Sequence, residues 1–441
     1  MRNIGKVVRS LRNSLPLDEV FEQVPDCRRS AFLPIQGILW LMVVMFACRR
    51  KYSLHAIDEY TRGLRLSELA ALYRLVCPGH LGERVVHELR RKRQAKVPEP
   101  LVSDSYLSRV LCGVDPDQLR PLLGQMTMLW RRNKVWQGKQ VVVYDATKET
   151  RSSEERCPHC RRGSAGWYHL GVHLTQVTAV PNVSMDYAPV PKNGSELTTA
   201  KEVARDQIRR SRGKYADVVV VDGLYVDAAF INMHREVGME VIVRLQQRDP
   251  DKLPKDLTVF RYAQLLFEDQ AGPNESFVDA GRNRQIRVWD VEGVPGWDGL
   301  DGQVRVLKFE FVNLTQGSSQ VHWAIATVPK KKANSERIYH WTVARWRIEN
   351  NTFRQEKTFE GLQHRQVHDR AGRGVQVFMI LYLLAMNIVQ YLAYRRFPTV
   401  RKRLMRTRYS LINFREDLVD CWVLWLYDSS RTIDLRSLAP P

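Results

Sequence analysis

The sequence predicts an α/β protein built on a mixed sheet, with a helical N-terminal region, a β-strand insertion and a helical C-terminal region. Three observations carry that expectation. The runs VVVYD (141–145) and VVVVD (218–222) are continuous valine stretches, the pattern of strands buried on both faces. From 136 to 246 strand patterns come first and then alternate with helical ones, whereas residues 1–135 carry helical spacing. With 441 residues and 44% hydrophobic content, the chain can build roughly two or three domains with real cores.

Within 1–135, PLDEVFEQV, IQGILWLMVVMFAC (35–48), LRLSELAALYRLV (64–76), SDSYLSRVL (103–111) and DPDQLRPLLGQMTMLWRR (115–132) read as helices, with Ser103 or Asp104 as a cap. The apolar run 35–48 is shorter than the roughly 20 residues that cross a bilayer, so it is expected to be a buried helix. From 136 to 246 the order is VVVYD, WYHLGVHLTQVTAV (167–180), SMDYAPVPKNG (184–194), helical ELTTAKEVARDQIRRS (196–211), VVVVD, helical DAAFINMHREVG (227–238) and MEVIVRLQ (239–246). Three strands followed by helix, strand, helix and strand is the order of the ribonuclease-H-like fold, in which the first and fourth strands are neighbours.

Residues 247–332 interrupt this alternation with QIRVWDV (285–291), VRVLKFEFVNL (304–314) and VHWAIATV (321–328), separated by turn-rich sequence, and are expected to form a β insertion. In 333–370 a helix is expected to start at Ser335 as N-cap and to run through Glu349 to about Lys357. The helical region 371–441 contains VQVFMILYLLAMNIVQYLAY (375–394). Its Gln376, Asn387, Gln390 and three tyrosines argue for a buried bundle helix and against a membrane span.

Charge indicates the partner. Lys and Arg number 68 against 48 Asp and Glu, a net +20, which is the electrostatic footprint of a polyanion binder. Arg90, Arg91, Lys92, Arg93 and Lys96 cluster in HELRRKRQAKVPEP (87–100) and are candidates for phosphate contact, making 1–135 the candidate DNA-binding region. The basic N-terminus lacks an adjacent apolar stretch and a small-residue cleavage site, so no secretory signal is expected. Seven thinly spread cysteines make no disulfide framework, and a reducing cytoplasm is the expected compartment.

Against that basic background three carboxylates have the wrong sign. Asp145 and Asp222 end the two valine strands, and Glu349 lies in the helix-like RWRIENNTFRQEK (345–357). Converging anions cost free energy unless cations compensate, and hard divalent ions such as Mg²⁺ are held by a few carboxylates plus substrate phosphates. The expected chemistry is metal-dependent phosphodiester cleavage on DNA.

Five ordered pieces, VVVYDAT, YHLGVHL, VPKNGSE (190–196), VVVVDGLY and RWRIENNTF, resemble the DDE insertion-sequence transposases of the IS-four group over about residues 100–395. The resemblance implies a ribonuclease-H-like core, cleavage at transposon ends, and transfer of the freed 3′-OH into target DNA. It further implies Mg²⁺ or Mn²⁺ at Asp145, Asp222 and Glu349, as two ions about 3.5–4 Å apart, and a homodimer on paired ends. The group's signature helix carries Tyr, Arg, Glu and Lys at fixed spacing. Arg345 and Glu349 match it, Thr342 replaces the Tyr, with Tyr339 one turn earlier as the candidate DNA contact, and Glu356 occupies the Lys position with Lys357 one residue late. At about 100° per residue, Lys357 is rotated about 80° from the face of Glu349. Arg345 and Lys357 are the candidate phosphate-holding cations.

Two alternatives remain open. One is a structure-specific nuclease of the same fold, which cleaves without joining. The other is a domesticated, non-catalytic DNA-binding protein; the intact acidic trio argues against it, and the departures at Thr342 and Glu356 keep it open.

Lesser candidates complete the reading. Cys157 and Cys160 form a CxxC, but His169 and His173, if on one strand, are about 13 Å apart at roughly 3.3 Å per residue and cannot share one ion, so zinc is not expected. His364 and His368 are expected to be structural. Among Trp289, Trp297 and Trp323 in the insertion, Trp297 in the loop VPGWDG is the best candidate for stacking on an unpaired base, and Trp323 is expected in the core.

Overall fold

The computed structural model describes residues 17–420 except 27, 29–32, 49–52, 78–79, 95–101, 156, 165, 178–181, 247–256, 271, 348–366, 368–370 and 407–409. Its centre is one ten-stranded mixed sheet. The strands are β1 (Val141–Ser152), β2 (Arg161–Gly163), β3 (Gly166–Gln176), β4 (Val183–Pro189), β5 (Val218–Asp222), β6 (Glu240–Gln246), β7 (Glu275–Asp279), β8 (Arg284–Pro295), β9 (Gln303–Asn313) and β10 (Ser319–Ala326). They run in the order β2-β3-β1-β5-β6-β10-β9-β8-β7, with β4 on β3. β1 pairs with β5 and β5 with β6 in parallel; the other pairs are antiparallel.

This is the ribonuclease-H-like arrangement, with the first and fourth core strands adjacent and a short extra strand, β2, that precedes β3 in the chain and pairs on its outer side. The valine runs lie where the sheet is covered twice. Val142, Val219 and Val241 face one core with Ala200 and Val203 of the helix Glu196–Ser211, while Val141, Val143, Val218, Val220 and Ile242 face another with Ile338 and Ala344. Each such side chain, fully buried, contributes about 1.5–3 kcal/mol.

The insertion departs from expectation in two respects. β10 pairs antiparallel with β6, so β7–β10 continue the core sheet, and the insertion also supplies the helix Leu257–Glu268, whose Phe260 and Phe267 pack on Trp323. Trp323 is buried, as the sequence suggested.

The helix expected at Ser335 spans Ser335–Arg347 in the described residues, but its cap is the preceding residue. The Asn334 side chain accepts from the Arg337 amide at 3.0 Å. The Ser335 hydroxyl donates instead to Asp290 of β8, which is ion-paired with the buried Arg305 of β9; Arg305 also donates to the Ala333 carbonyl at 2.6 Å. A buried guanidinium and carboxylate therefore bind the start of this helix to the insertion.

All residues of the helix Ile35–Cys48 are buried, and it packs on the long helix Arg373–Tyr391, with Phe46 and Phe378 rings 5.0 Å apart. The latter helix is long and apolar enough to cross a membrane, yet its apolar window is 78% buried within the protein. Its Asn387 exchanges two 2.8 Å hydrogen bonds with the Ser184 backbone of β4, which explains an amide in so apolar a run. Ser103, not Asp104, caps the helix Asp104–Gly113 by accepting from the Tyr106 amide. The predicted helix 115–132 divides at Pro121, and Arg120 at the break pairs with buried Asp186 of β4, joining the helical region to the sheet.

Candidate active site beyond two valine runs

The pairing of β1 and β5 runs Val141 with Val218, Val142 with Val219 and Val143 with Val220. Two residues further in that register Asp145 falls opposite Asp222, and β6 pairs Asp222 with Arg244. Neighbours in register share a face. Asp145, Asp222 and Arg244 therefore form a row one step beyond the Val143, Val220, Ile242 row, on the face covered by the helix Ser335–Arg347. From that helix Arg345, itself buried, donates to the Asp145 carboxylate at 3.2 Å. Glu349, four positions after Arg345, lies outside the described residues.

Backbone amides orient both acids. Asp145 accepts from the Ala146 amide at 3.0 Å, and Asp222 from the Leu224 amide at 3.0 Å where β5 turns into Gly223–Tyr225. Arg244 is buried and lies 2.9 Å from Nδ1 of His322; burial, with Arg244 and Arg284 nearby, holds that imidazole down at about 3, so it stays neutral.

A fourth carboxylate joins the group. Glu196 is the first residue of the helix Glu196–Ser211, whose N-cap Ser195 accepts from the Thr198 amide. Burial, together with the charges of Asp222 and Asp145, pushes its carboxyl up to about 7, against the opposing pull of the Tyr225 hydroxyl, which donates to it at 2.9 Å, and of Arg345. A buried acid beside two further carboxylates marks a place where a positive charge would be stabilised. Sequence reading missed Glu196 as a site residue because an acid beside an N-cap serine is an ordinary helix start. The available signal was its place at the end of VPKNGSE, as the first residue of the helix that follows.

Residues 136–388, more than half of the chain, match the family model described as the transposase DDE domain. The chain belongs to the DDE transposases. That family acts in DNA cleavage and strand transfer. No curated protein matches. Among solved structures, a match is the cryo-EM structure of the piggyBac transposase synaptic complex with hairpin DNA, at 8% identity and TM-score 0.41, covering 97% of this chain and 81% of that one.

Other expected residues of the transposase divide into three groups. Glu349, Lys357, His364, His368 and Lys96 lie outside the described residues. Arg90, Arg91, Lys92 and Arg93 fall on the helix His80–Gln94, with Arg91 exposed and 2.9 Å from Glu88. Trp297 is half-buried in the turn between β8 and β9, next to Gly299 and Asp301, which bond Asn232 of the helix Ala228–Glu236.

Tyr339 requires correction. It is 1% exposed among Phe277, Phe309 and Phe311, and its hydroxyl donates to Asp279 at 2.5 Å, so it is a core residue and not a DNA contact. A tyrosine three positions from Thr342 on an amphipathic helix can face the sheet as readily as the substrate. Thr342 is buried too, its hydroxyl returned to the Tyr339 carbonyl at 2.8 Å. The CxxC loop also differs from expectation. His173 pairs with Glu149 at 2.7 Å, but His169 turns to both cysteines.

Proposed function

We propose that this transposase uses divalent cations to cleave DNA at the ends of a mobile element and to join the freed 3′-OH to target DNA. The observation that carries this reading is the placement of Asp145 and Asp222 just beyond the paired valines of adjacent parallel strands, Asp222 at the end of β5 and Asp145 where β1 runs on past it to Ser152, under a helix that reaches Asp145 through Arg345. The donor set fits a hard cation. Two carboxylates in one row, with Glu196 nearby raised by burial and, in addition, by their charge, supply oxygen ligands and negative potential. Glu349, four positions after Arg345 in sequence, is the proposed third ligand, and the family generally works with divalent metals. When bound, Mg²⁺ or Mn²⁺ would supply Lewis-acid stabilisation of the reacting phosphodiester oxygens.

The protein's own groups divide the remaining work. Arg345 holds Asp145 and presents a guanidinium where a phosphate would approach, and Lys357 is proposed as a second, more flexible phosphate contact. Arg244 places a further cation in the same row. With a carboxyl poised near neutrality, Glu196 can accept or return a proton at the site's edge. The basic helix His80–Gln94 in the N-terminal region adds sequence-independent DNA affinity. Membership of the IS-four group and a dimer on paired ends belong to the same proposal.

The test is single replacement of Asp145, Asp222 or Glu349 by Ala, with cleavage, joining and DNA binding measured separately. Loss of Mg²⁺-dependent cleavage with binding retained supports the reading. Cleavage at wild-type rate by any one variant removes that residue from the site. Wild-type cleavage without any joining would point to a nuclease instead.

A further inference from the structure

The strongest feature outside the acidic site is the turn between β1 and β2. Cys157 and Cys160 are drawn together by a tight turn in which the Cys160 amide donates to the Cys157 carbonyl at 3.0 Å. His169 of β3 points its Nε2 between them. The sulfurs are 3.6 Å apart, and Nε2 lies 3.1 Å from Cys157 Sγ and 3.3 Å from Cys160 Sγ. All three residues are more than nine-tenths buried.

Hydrogen bonding explains this arrangement poorly. One imidazole nitrogen offers either a single lone pair or a single proton, so it cannot serve both sulfurs well. A disulfide requires about 2.05 Å between sulfurs. A tetrahedral zinc ion, with Zn–S about 2.3 Å and Zn–N about 2.0–2.1 Å, would separate two thiolates by about 3.8 Å and a thiolate from the nitrogen by about 3.5 Å. The observed triangle is within a few tenths of an ångström of that.

We propose that Cys157, Cys160 and His169 bind a structural zinc ion, separate in place and chemistry from the Asp145–Asp222 site. Soft thiolates select zinc over the hard cations that carboxylates favour. Three protein ligands leave a fourth position for water or one more donor. The strand geometry that kept His169 and His173 apart holds: the site takes the first, and Glu149 takes the second. The ion would tie the β1–β2 turn to β3 and brace the start of the long helix Arg373–Tyr391. Its N-cap, Gly372, has φ +77°, and a Cβ there would lie 2.6 Å from the His159 ring and 3.3 Å from Cys157 Sγ.

The experiment uses the full chain purified under reducing conditions. Elemental analysis should find about one zinc per chain, and exchange for Co²⁺ should produce a thiolate-to-cobalt charge-transfer band. Cys157→Ser, Cys160→Ser and His169→Ala should each weaken or abolish that band, His169→Cys should restore it, and Asp145→Ala should leave it intact. Should the substitutions prevent folding, the wild-type protein still decides. Absence of stoichiometric zinc together with absence of the cobalt band, or a Cys157–Cys160 disulfide under these conditions, would overturn the proposal.

Discussion

Replacing Arg345 by Ala removes a guanidinium 3.2 Å from the Asp145 carboxylate, in a pair whose side chains are only 9% and 12% exposed. Breaking a buried ion pair by removing one partner typically costs about 3–5 kcal/mol, because a desolvated charge is left behind. Here the remaining anion also faces its own kind. Adjacent strands lie about 4.8 Å apart, and at that distance two carboxylates repel by about 3 kcal/mol at an effective dielectric of about 20. The expected loss for Arg345→Ala in chelator is therefore about 3–5 kcal/mol, read by urea denaturation.

Asp145→Ala leaves Arg345 beside Asp222 and Glu196, which can still draw on its charge, so it should cost less. The double variant should be more stable than the sum of the two losses predicts, by about 0.5–3 kcal/mol of coupling. Mg²⁺ at 100 times its dissociation constant should return about 2.7 kcal/mol to Arg345→Ala, provided the variant retains the metal site. A loss below about 1 kcal/mol in chelator, or strict additivity in the double variant, would refute the electrostatic account, since surface pairs give such values.

Three further outcomes follow. With its carboxyl raised from 4.5 to about 7, Glu196 binds its proton more tightly in the folded chain, so metal-free stability should fall as pH rises from about 4.5 to about 7; Glu196→Gln should flatten that slope in thermal melts between pH 5 and 8, and an unchanged slope would exclude Glu196. Arg305→Met should destabilise by about 3–5 kcal/mol by leaving Asp290 buried without its guanidinium, and Asp290→Leu added to it should recover part of the loss in urea melts, no recovery counting against the pair. In single-turnover cleavage, Arg345→Ala should lower the rate at saturating DNA while Lys357→Ala chiefly weakens affinity, and equal losses of saturated rate would show that the helical-phase assignment of Lys357 is wrong.

Much of the architecture was legible because local pattern and burial agree. Continuous valine runs can be stable only between two covering layers, and the strict order of strands and helices left few arrangements for β1, β5 and β6. A carboxylate at the end of each run then had to emerge together with its neighbour, so Asp145 and Asp222 were readable as a pair. The 35–48 and 375–394 runs likewise declared themselves as core helices, since Asn387 needs the Ser184 backbone that only a protein interior supplies.

Tertiary structure decided what depends on which faces meet. Glu196 and Arg244 are distant in sequence from Asp145 and become site neighbours only when the helix Glu196–Ser211 packs on β3 and β4 and β6 pairs with β5. Tyr339 has the spacing of a substrate contact, but helix rotation fixed by the insertion's phenylalanines turns it inward. His169 joins Cys157 and Cys160 because a hairpin folds the turn back over β3, a convergence that linear spacing along one strand cannot reveal. Periodicity records which residues are buried, whereas the partners they meet are set by packing between elements far apart in the chain.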